Sequence, residues 1–292
     1  MQVIASAARV ETAKAQLASA GELDQQTANR VKNEVSPEID SIRAQVERQS
    51  ADQRLTNATN QLEKDKLTLA RIIGLAIDQD FVLTDQLAYH PLSGISSETS
   101  VDEALRSRAD LRSAEASVQA AGFTVRAQKA QRLPIVSVTA DYGGGGTNIG
   151  NFNQVYTVAG NISVPIYTGG RIRADIAQAQ ADLARREAEY EDLKGRVAYD
   201  VRVACLDLTA SDSSVRVAER NKSLAERALT QSQDRYSNGV TNYLEVVQAQ
   251  EGVAVASENY IQSLFSFNVA MVSFARAVGS AETKLPEFLG GK

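Results

Sequence analysis

The sequence predicts a mainly α fold of long, coiled-coil-like helical hairpins, with one β-hairpin inserted in the chain. Three observations lead to this fold class. A helix–turn–helix segment occurs twice with an offset of 205 residues, long stretches carry helical periodicity without proline, and one region alternates apolar and polar residues. A repeat on this scale indicates an architecture of helical units rather than a fold organised around one enzyme active site.

The repeat is centred on two turns. The first copy, residues 30–40, reads RVKNEVSPEID, and the second, residues 235–245, reads RYSNGVTNYLE. The copies stay in register without a gap as far as ARIIG at 70–74 and ARAVG at 275–279. Each turn is therefore expected to close one long helix and to start another whose first turn is acidic.

The repeat offset places Met1 opposite Leu206, deep inside the second copy. The first residues are too polar for a signal peptide and have the periodicity of the middle of a helix. We therefore expect a chain truncated at its N-terminus, in which the first repeat lacks its counterpart of roughly residues 110 to 205.

Composition excludes several classes of function. The chain has 292 residues, no tryptophan and a net charge of −5, so it has no basic surface typical of nucleic-acid binding. One histidine, His90, and one cysteine, Cys205, are too few for a structural zinc site, and no metal site is predicted. No catalytic constellation is legible and no run of eighteen apolar residues exists, so we predict neither an enzyme nor a transmembrane helix.

Helical segments fill most of the chain. The first is predicted from residue 2 to about 33, and the second runs from Pro37 to about Ile73, with Ser36 as its capping residue and Gly74 as its end. Residues 76–100 are loop-like and include His90. A capping box of Ser100 and Glu103 predicts a short helix over 101–107, followed by another from about 110 to 132.

Two segments, residues 135–142 and 156–166, alternate with a period of two and predict a β-hairpin. The four glycines of 143–146 lack the lysine of a phosphate loop and are predicted to form a loop. Alternation alone leaves open a half-buried hairpin on a soluble core. Since no other strand-like segment exists to pair with it, a membrane-barrel hairpin is favoured. The apolar residues predicted to face lipid are Val136, Val138, Tyr142, Tyr156, Val158, Ile162, Val164 and Ile166.

A helix without proline follows from about 171 to 238, on the order of 100 Å long. Apolar or small residues recur along it with the seven-residue period of a coiled coil. One heptad position holds Tyr190, Val197, Ala204, Ser211, Ala218 and Ala225, and another holds Val201, Leu208, Val215 and Leu229. Cys205 is interpreted as a small packing residue of this helix.

The order of these motifs resembles that of the TolC-like outer membrane efflux proteins, the outer membrane factors of Gram-negative export systems. The matching segments are residues 108–121, 133–143, 162–176 and 235–250, which are similar to the family's helix leading to the barrel, a strand, a strand-to-helix transition and a helix turn. The resemblance covers nearly the whole chain.

This resemblance implies an α-barrel protomer with two repeats per chain, a homotrimer, and a trimeric outer-membrane β-barrel that contacts outer-membrane lipid. The family uses four strands per protomer and this chain carries two, in agreement with the expected truncation. The implied domains are a truncated first-repeat periplasmic hairpin (1–75), an equatorial linker (76–109), a helix leading to the barrel (110–133), the outer-membrane hairpin (134–168), the second-repeat hairpin (169–280) and a tail (281–292).

By the same resemblance, the two turns are the periplasmic tips that meet a periplasmic adaptor protein. The tip residues are Asn33, Glu34, Val35, Ser36, Asn238, Gly239, Val240 and Thr241. From the residues alone the favoured interpretation is ordinary helix turns, in which Gly239 adopts a left-handed conformation and Asn238 or Ser36 caps a helix.

Asp40, Glu245 and Gln248 fall where the family lines its constricted entrance with acidic residues. The alternative is helix capping, since an acid in the first turn is favoured by the helix dipole and Asn242 with Glu245 forms a capping box. Arg43, Arg48 and Arg235 are candidates for links between neighbouring helices, although solvated arginines are commoner.

The implied function is a passive exit duct of a tripartite efflux or type I secretion system, working with a periplasmic adaptor and an inner-membrane transporter and requiring no cofactor. The alternative is a helical scaffold or adaptor-like interaction protein of the cell envelope that forms no channel. For the given chain, we predict a pore that assembles improperly or does not function.

Overall fold

The structure is a computed structural model that describes residues 1–76, 79, 81–83, 89, 91, 96–145 and 153–281. Predictions on His90, on Gly146 and on the tail beyond residue 281 lie outside these residues. The elements are α1 (Gln2–Lys32), α2 (Glu38–Ile73), α3 (Ser97–Ser107), α4 (Ala109–Ala130), β1 (Ile135–Gly145), β2 (Asn153–Ser163), α5 (Arg171–Ser237) and α6 (Tyr243–Val278). The predicted mainly α fold with one β-hairpin is confirmed.

The chain divides into two compact units, one of Met1–Ser107 with Asp200–Lys292 and one of Arg108–Tyr199. The first unit holds α1, α2, α3, α6 and the C-terminal part of α5. The second holds α4, the β-hairpin and the N-terminal part of α5. The domain boundaries drawn from the sequence stay a prediction.

The backbone repeats as the sequence does. Helices α2 and α6 both have 36 residues, and both begin and end at positions 205 residues apart. Each ends at a left-handed glycine, Gly74 with φ of +75° and Gly279 with φ of +81°. The amide that follows each glycine donates to a carbonyl five residues back, at 2.9 Å from Leu75 and 3.0 Å from Ser280. The two copies thus have the same helix length and the same kind of C-terminal cap.

The start of α2 differs by one residue from the prediction. Pro37 is the N-cap, with an extended backbone (φ −69°, ψ 148°), rather than the first helical residue, and no side chain caps this helix. The Ser36 hydroxyl accepts a hydrogen bond from Arg30 Nε at 3.1 Å instead. The Arg30 guanidinium therefore binds the Ser36 hydroxyl, which the sequence pattern had assigned to the N-cap of α2.

The capping box predicted at Ser100 and Glu103 is wrong. Helix α3 begins at Ser97, so Ser100 is already helical and buried. Its hydroxyl donates to the carbonyl of Ser96 at 2.8 Å, the back-bond that serine makes inside a helix. The pattern of a helix start therefore lay one turn after the true start.

The core of the first unit is built on α6. Helix α6 buries thirteen side chains, among them Phe267 and Tyr243, whereas α2 buries four. The predicted α5 stripe is buried in part. Its buried members in this unit are Val201, Ala204, Leu208, Val215 and Ala218, whereas Ala225 and Leu229 are half-buried. Small and β-branched residues at this spacing allow helices to approach closely.

Tyr89 contacts two helices of the first unit. Its hydroxyl donates to Asp212 Oδ1 at 2.7 Å, and its ring packs edge-on to Phe267 with centroids 5.2 Å apart. Burial, followed by the hydrogen bond and charge of Asp212, raises the pKa of Tyr89 to about 12. Asp212 is itself buried and paired with Arg216 at 2.7 Å, so its charge is balanced.

Helix α6 is the one helix in the described part of the chain that is long and apolar enough to cross a membrane. No apolar run in the sequence predicted this, because polar residues interrupt the helix. Half of its most apolar window is buried against the rest of the protein, as in a core helix. We therefore treat α6 as part of the core.

In the second unit, β1 and β2 form an antiparallel hairpin of two eleven-residue strands. The strands are longer toward the connection than predicted, since Gly143, Gly144 and Gly145 belong to β1. At the other end β2 stops at Ser163, so Val164 and Ile166 lie beyond it and are not strand residues. Glycines pair in the ladder here because a partner strand satisfies their amides and carbonyls.

Candidate functional site at the two helix turns

The first turn joins α1 to α2 and the second joins α5 to α6. In the first, the Glu34 amide donates to the Val31 carbonyl and the Val35 amide to the Arg30 carbonyl, both at 2.9 Å. In the second, the amides of Gly239 and Val240 make the same two bonds, at 3.0 and 2.9 Å. This pair of bonds is the Schellman closure of a helix end. The predicted left-handed cap at Gly239 is confirmed, with φ of +71°.

The apex of both turns is exposed. Asn33, Glu34, Asn238 and Gly239 are exposed, and the valine that follows in each turn, Val35 or Val240, is 62% or 66% exposed. Ser36 and Thr241 are half-buried. The capping prediction for Asn238 is confirmed, because its side-chain amide donates to the Asp234 carbonyl at 2.8 Å. Contact of these residues with an adaptor stays a prediction.

The apolar cluster beneath the turns draws on all four long helices. Its buried members are Leu23 of α1, Ala44 of α2, Tyr236 of α5, and Tyr243 and Val246 of α6. The two tyrosine rings pack edge to face with centroids 5.5 Å apart. This tip cluster ties the two hairpins together directly below their turns. The sequence analysis did not predict this cluster, although Tyr236 and Tyr243, seven positions apart across a turn, could have indicated it.

The tip cluster leaves polar atoms inside it. Neither Tyr236 nor Tyr243 has a hydrogen-bond partner for its buried hydroxyl among the described residues. Burial, followed by the negative charge of Glu47, raises the pKa of Tyr243, which keeps the hydroxyl protonated. A buried hydroxyl without a partner is costly, so these two groups weaken the contact between the hairpins.

Arg30 links the two turns directly. Its Nη1 donates to the Ser237 carbonyl at 2.9 Å, and its guanidinium carbon lies 4.8 Å from the centre of the Tyr236 ring. Its repeat counterpart, Arg235, stays within its own hairpin, 3.4 Å from Glu245. The sequence analysis singled out Arg235 and overlooked Arg30, because which arginine reaches across depends on the packing of the hairpins.

The other candidate linking arginines act within one hairpin. Arg48 of α2 pairs with the buried Asp24 of α1 at 3.0 Å, and Arg43 pairs loosely with Asp40 in its own helix at 3.8 Å. A second contact between hairpins lies farther from the turns. There Arg9 of α1 pairs with Glu258 of α6 at 2.8 Å.

The three residues predicted to line an entrance differ in exposure within the chain. Asp40 is 6% exposed, Glu245 is half-buried and Gln248 is exposed. The Asn242 half of the predicted capping box is confirmed, since its side-chain oxygen accepts from the Glu245 amide at 3.3 Å. Glu245 also accepts a hydrogen bond from Thr241. Both acids have local partners, and their entrance-lining role stays a prediction.

In the second unit, the hairpin register brings the predicted lipid-facing residues together on one face. Val136 is opposite Ile162, Tyr142 is opposite Tyr156, and Ala140 is opposite Val158. These side chains are uncovered, with Val136, Val138, Tyr142, Tyr156, Val158 and Ile162 each 67% to 80% exposed. A continuous exposed apolar face of this kind indicates an apolar surrounding or partner.

Comparison with known proteins agrees with these features. The family model described as outer membrane efflux protein matches residues 100–280. The efflux protein BepC of Brucella suis is 25% identical over 244 residues, covering 82% of this chain and 52% of BepC. TolC of Vibrio cholerae is 22% identical, covering 96% of this chain and 65% of that protein. The chain spans about half the length of several curated relatives that it matches.

Solved structures show the same fold. The outer membrane protein VceC from Vibrio cholerae superposes with a TM-score of 0.71 at 20% identity, covering 95% of this chain and 67% of VceC. A structure of CusC gives a TM-score of 0.74 at 18% identity, covering 95% of this chain and 66% of CusC. The chain therefore belongs to the outer membrane efflux protein family, whose TolC-like channels lie in the outer membrane with a periplasmic helical region.

Proposed function

We propose that this chain is part of a passive outer-membrane exit duct that serves a tripartite efflux or type I secretion system. The observation that carries the proposal is the β-hairpin, whose one face is apolar and exposed along its length. The opposite face carries Ser137, Thr139 and Asp141. A strand with lipid on one side and water on the other has this composition.

The edges of the hairpin support assembly from several copies. Within the described residues, β1 and β2 pair only with each other, so each has an outer edge without a partner strand. An open edge is not tolerated in the hydrocarbon layer, because its amides and carbonyls have no hydrogen-bond partners there. Closure of the sheet by further strands, in a homotrimer as in the family, would satisfy them.

In this proposal the helices carry the duct through the periplasm, and the two turns form its inner end. Asp40, Glu245 and Gln248 follow the turns, and carboxylates at a constriction favour passage of cations. The energy for transport comes from an inner-membrane transporter, reached through a periplasmic adaptor. The residues of this chain bind, guide and exclude, and they catalyse no reaction.

A matched pair of substitutions on adjacent residues tests the lipid assignment. Val138→Asp places a charge on the apolar face, whereas Ser137→Asp places the same charge on the polar face. An arginine or lysine facing lipid costs about 2–4 kcal/mol near the membrane centre, and an aspartate costs less. We expect Val138→Asp to lower the association of the chain with lipid vesicles and Ser137→Asp to retain it. Equal loss, or equal retention, in the two variants would contradict the proposal.

A further inference from the structure

The segment that contains the β-hairpin has a one-sided charge. From residue 116 to residue 174 the sequence has five basic residues and a single acidic residue, which lies within β1. The five, here called the basic group, are Arg126, Lys129, Arg132, Arg171 and Arg173. None of them lies in a strand, and all are exposed. Since the whole chain has a net charge of −5, this positive charge is a local feature.

The fold brings the two halves of the basic group to the same end of the hairpin. Ile135 at the start of β1 pairs with Ser163 at the end of β2, so both connections to the helices leave the ladder at this end. Helices α4 and α5 border a common groove in the same unit. Residues lining this groove include Thr124 and Gln128 of α4 and Asp175 and Gln178 of α5. The basic residues before β1 and after β2 are therefore neighbours in the fold.

Most of this positive charge is not neutralised within the chain. Lys129, Arg132 and Arg173 form no ion pair with any residue that the structure describes. Arg171 has only a loose pair with Asp175, at 3.6 Å. The guanidinium carbon of Arg126 lies 5.4 Å from the centre of the Phe123 ring, a contact that leaves its charge available. The hairpin base thus presents a surface suited to an anionic partner.

The basic group lies close to the apolar face of the hairpin. Arg132 precedes Val136 by four residues, so their Cα atoms are at most about 14 Å apart. The headgroup layer beside the hydrocarbon core of a bilayer is about 5–8 Å thick, and long basic side chains extend their charge toward it. Tyr167, four residues before Arg171, is 91% exposed. Tyrosines at the end of a membrane-spanning strand are typical of headgroup depth.

We propose that the basic group binds the phosphate groups of anionic phospholipids, so that the chain selects anionic lipid around the base of its hairpin. This inference rests on the proposed function, which places the hairpin in lipid. The apolar face contacts acyl chains of any lipid, whereas the basic group distinguishes between headgroups. A zwitterionic headgroup carries the same phosphate together with a cation, which offsets the attraction.

Flotation of the whole chain with lipid vesicles tests this selection. One set of vesicles is phosphatidylcholine alone, and the other contains about one third phosphatidylglycerol. Each basic residue near an anionic surface strengthens binding about fivefold. Despite its negative net charge, the unsubstituted chain should bind the anionic vesicles about tenfold more tightly, and high salt should remove this preference.

A matched pair of double variants assigns the preference to the hairpin base. Arg132→Gln with Arg173→Gln should weaken binding to anionic vesicles about tenfold and leave binding to phosphatidylcholine unchanged. Arg202→Gln with Arg220→Gln removes the same charge from exposed arginines of the first unit and should keep the preference. Arg132→Lys with Arg173→Lys should also keep it, because the charge remains. Circular dichroism checks that each variant is folded.

Four outcomes would overturn the inference. The first is equal binding of the unsubstituted chain to both kinds of vesicle, and the second is equal loss of preference in the two glutamine double variants. The third is stronger competition by inorganic phosphate than by chloride at equal ionic strength, which would indicate a site for the free ion. The fourth is a lower sedimentation mass of the Arg132→Gln and Arg173→Gln variant with unchanged lipid preference, which would indicate pairing with a second copy.

These results are distinguishable from a failure of the proposed duct. The Val138→Asp and Ser137→Asp variants report on the apolar face through binding to phosphatidylcholine, which the basic group does not control. No binding of the unsubstituted chain to either kind of vesicle would overturn both proposals. Binding to both kinds without preference would overturn the lipid selection alone.

Discussion

Helices α2 and α6 have the same length and the same left-handed glycine at the end, yet they occupy opposite environments. Helix α2 buries four side chains and α6 buries thirteen. The two helices show that the ends of a helix and its burial are encoded separately. Gly74 and Gly279 set where each helix stops, whereas the residues between them decide which helix becomes the core.

The two turns show the same separation on a smaller scale. Their backbones make the same pair of hydrogen bonds, but Arg30 reaches across to the second hairpin and Arg235 stays in its own. One position holds Glu34 in the first turn and Gly239 in the second. The repeat thus keeps one backbone and gives each copy a different set of contacts.

The largest difference in the free energy of unfolding is expected between substitutions at equivalent positions of α6 and α2. Phe267 is 2% exposed and packs against Tyr89, whereas its counterpart Leu62 is half-buried. Phe267→Ala should lower the free energy of unfolding by about 3–5 kcal/mol, because it leaves a cavity in the core. Leu62→Ala should cost on the order of 1 kcal/mol. Urea denaturation measures both, and equal losses would contradict the division between core and surface helices.

The next largest difference in the free energy of unfolding is expected between substitutions of Arg30 and Arg235. Arg30→Ala removes the bond to the Ser237 carbonyl and the contact with the Tyr236 ring, and should cost about 1–2 kcal/mol. Arg235→Ala should cost under about 0.5 kcal/mol, because its pair with Glu245 is largely exposed. Hydrogen exchange at the turns measures the effect. Faster exchange in both turns is expected for the Arg30 variant, and an effect confined to the first turn would contradict the link.

Glu34 and Gly239 occupy equivalent turn positions, and both have a positive φ. Substitutions there should change the free energy of unfolding by smaller amounts, with opposite signs in the two turns. Glu34→Gly should raise the free energy of unfolding by about 1 kcal/mol, since glycine accepts a positive φ. Gly239→Ala should lower it by about the same amount. A Cβ at Gly239 would meet no atom within 4 Å, so the loss would come from the backbone alone. Thermal unfolding measures both, and a neutral Gly239→Ala would contradict the strain assigned to Glu34.

The smallest effect is expected at the helix starts. Asn242→Ala removes the side-chain cap of α6 and should cost about 0.5–1 kcal/mol, with Asn242→Asp restoring most of it. Pro37, its counterpart, provides no side-chain cap to α2, so Ser36→Ala should affect the Arg30 contact rather than the helix start. This difference would be contradicted if the start of α6 frayed no more in the Asn242→Ala variant than in the unsubstituted chain.

The sequence predicted the elements whose signals are local. The glycine caps at Gly74 and Gly239, the Asn242 side-chain cap and the alternating hairpin depend on neighbouring residues, and all are confirmed. The misplaced helix starts at Ser36 and Ser100 came from serines that also form other hydrogen bonds. Arg30 Nε donates to the Ser36 hydroxyl, and the Ser100 hydroxyl donates to the Ser96 carbonyl. The capping pattern contains neither of these bonds.

The tip cluster and the Arg30 link were not predictable in the same way. Tyr236, Leu23 and Ala44 lie far apart in the sequence, and only the packing of the two hairpins brings them together. Periodicity shows that a helix has an apolar side, but it does not show which partner covers that side. Ile39, Ile42 and Val46 of α2 have the spacing of a buried seam, and their exposure emerges only from the structure.

Because α2 and α6 have equal lengths, the same length of helix separates each turn from its glycine cap. One residue inserted in either helix would advance its far end by about 1.5 Å and rotate it by about 100°. The two copies would then differ in the length of helix between the turn and its glycine cap. A designer who wishes to lengthen this protein must therefore add whole heptads, in matched number, to both copies.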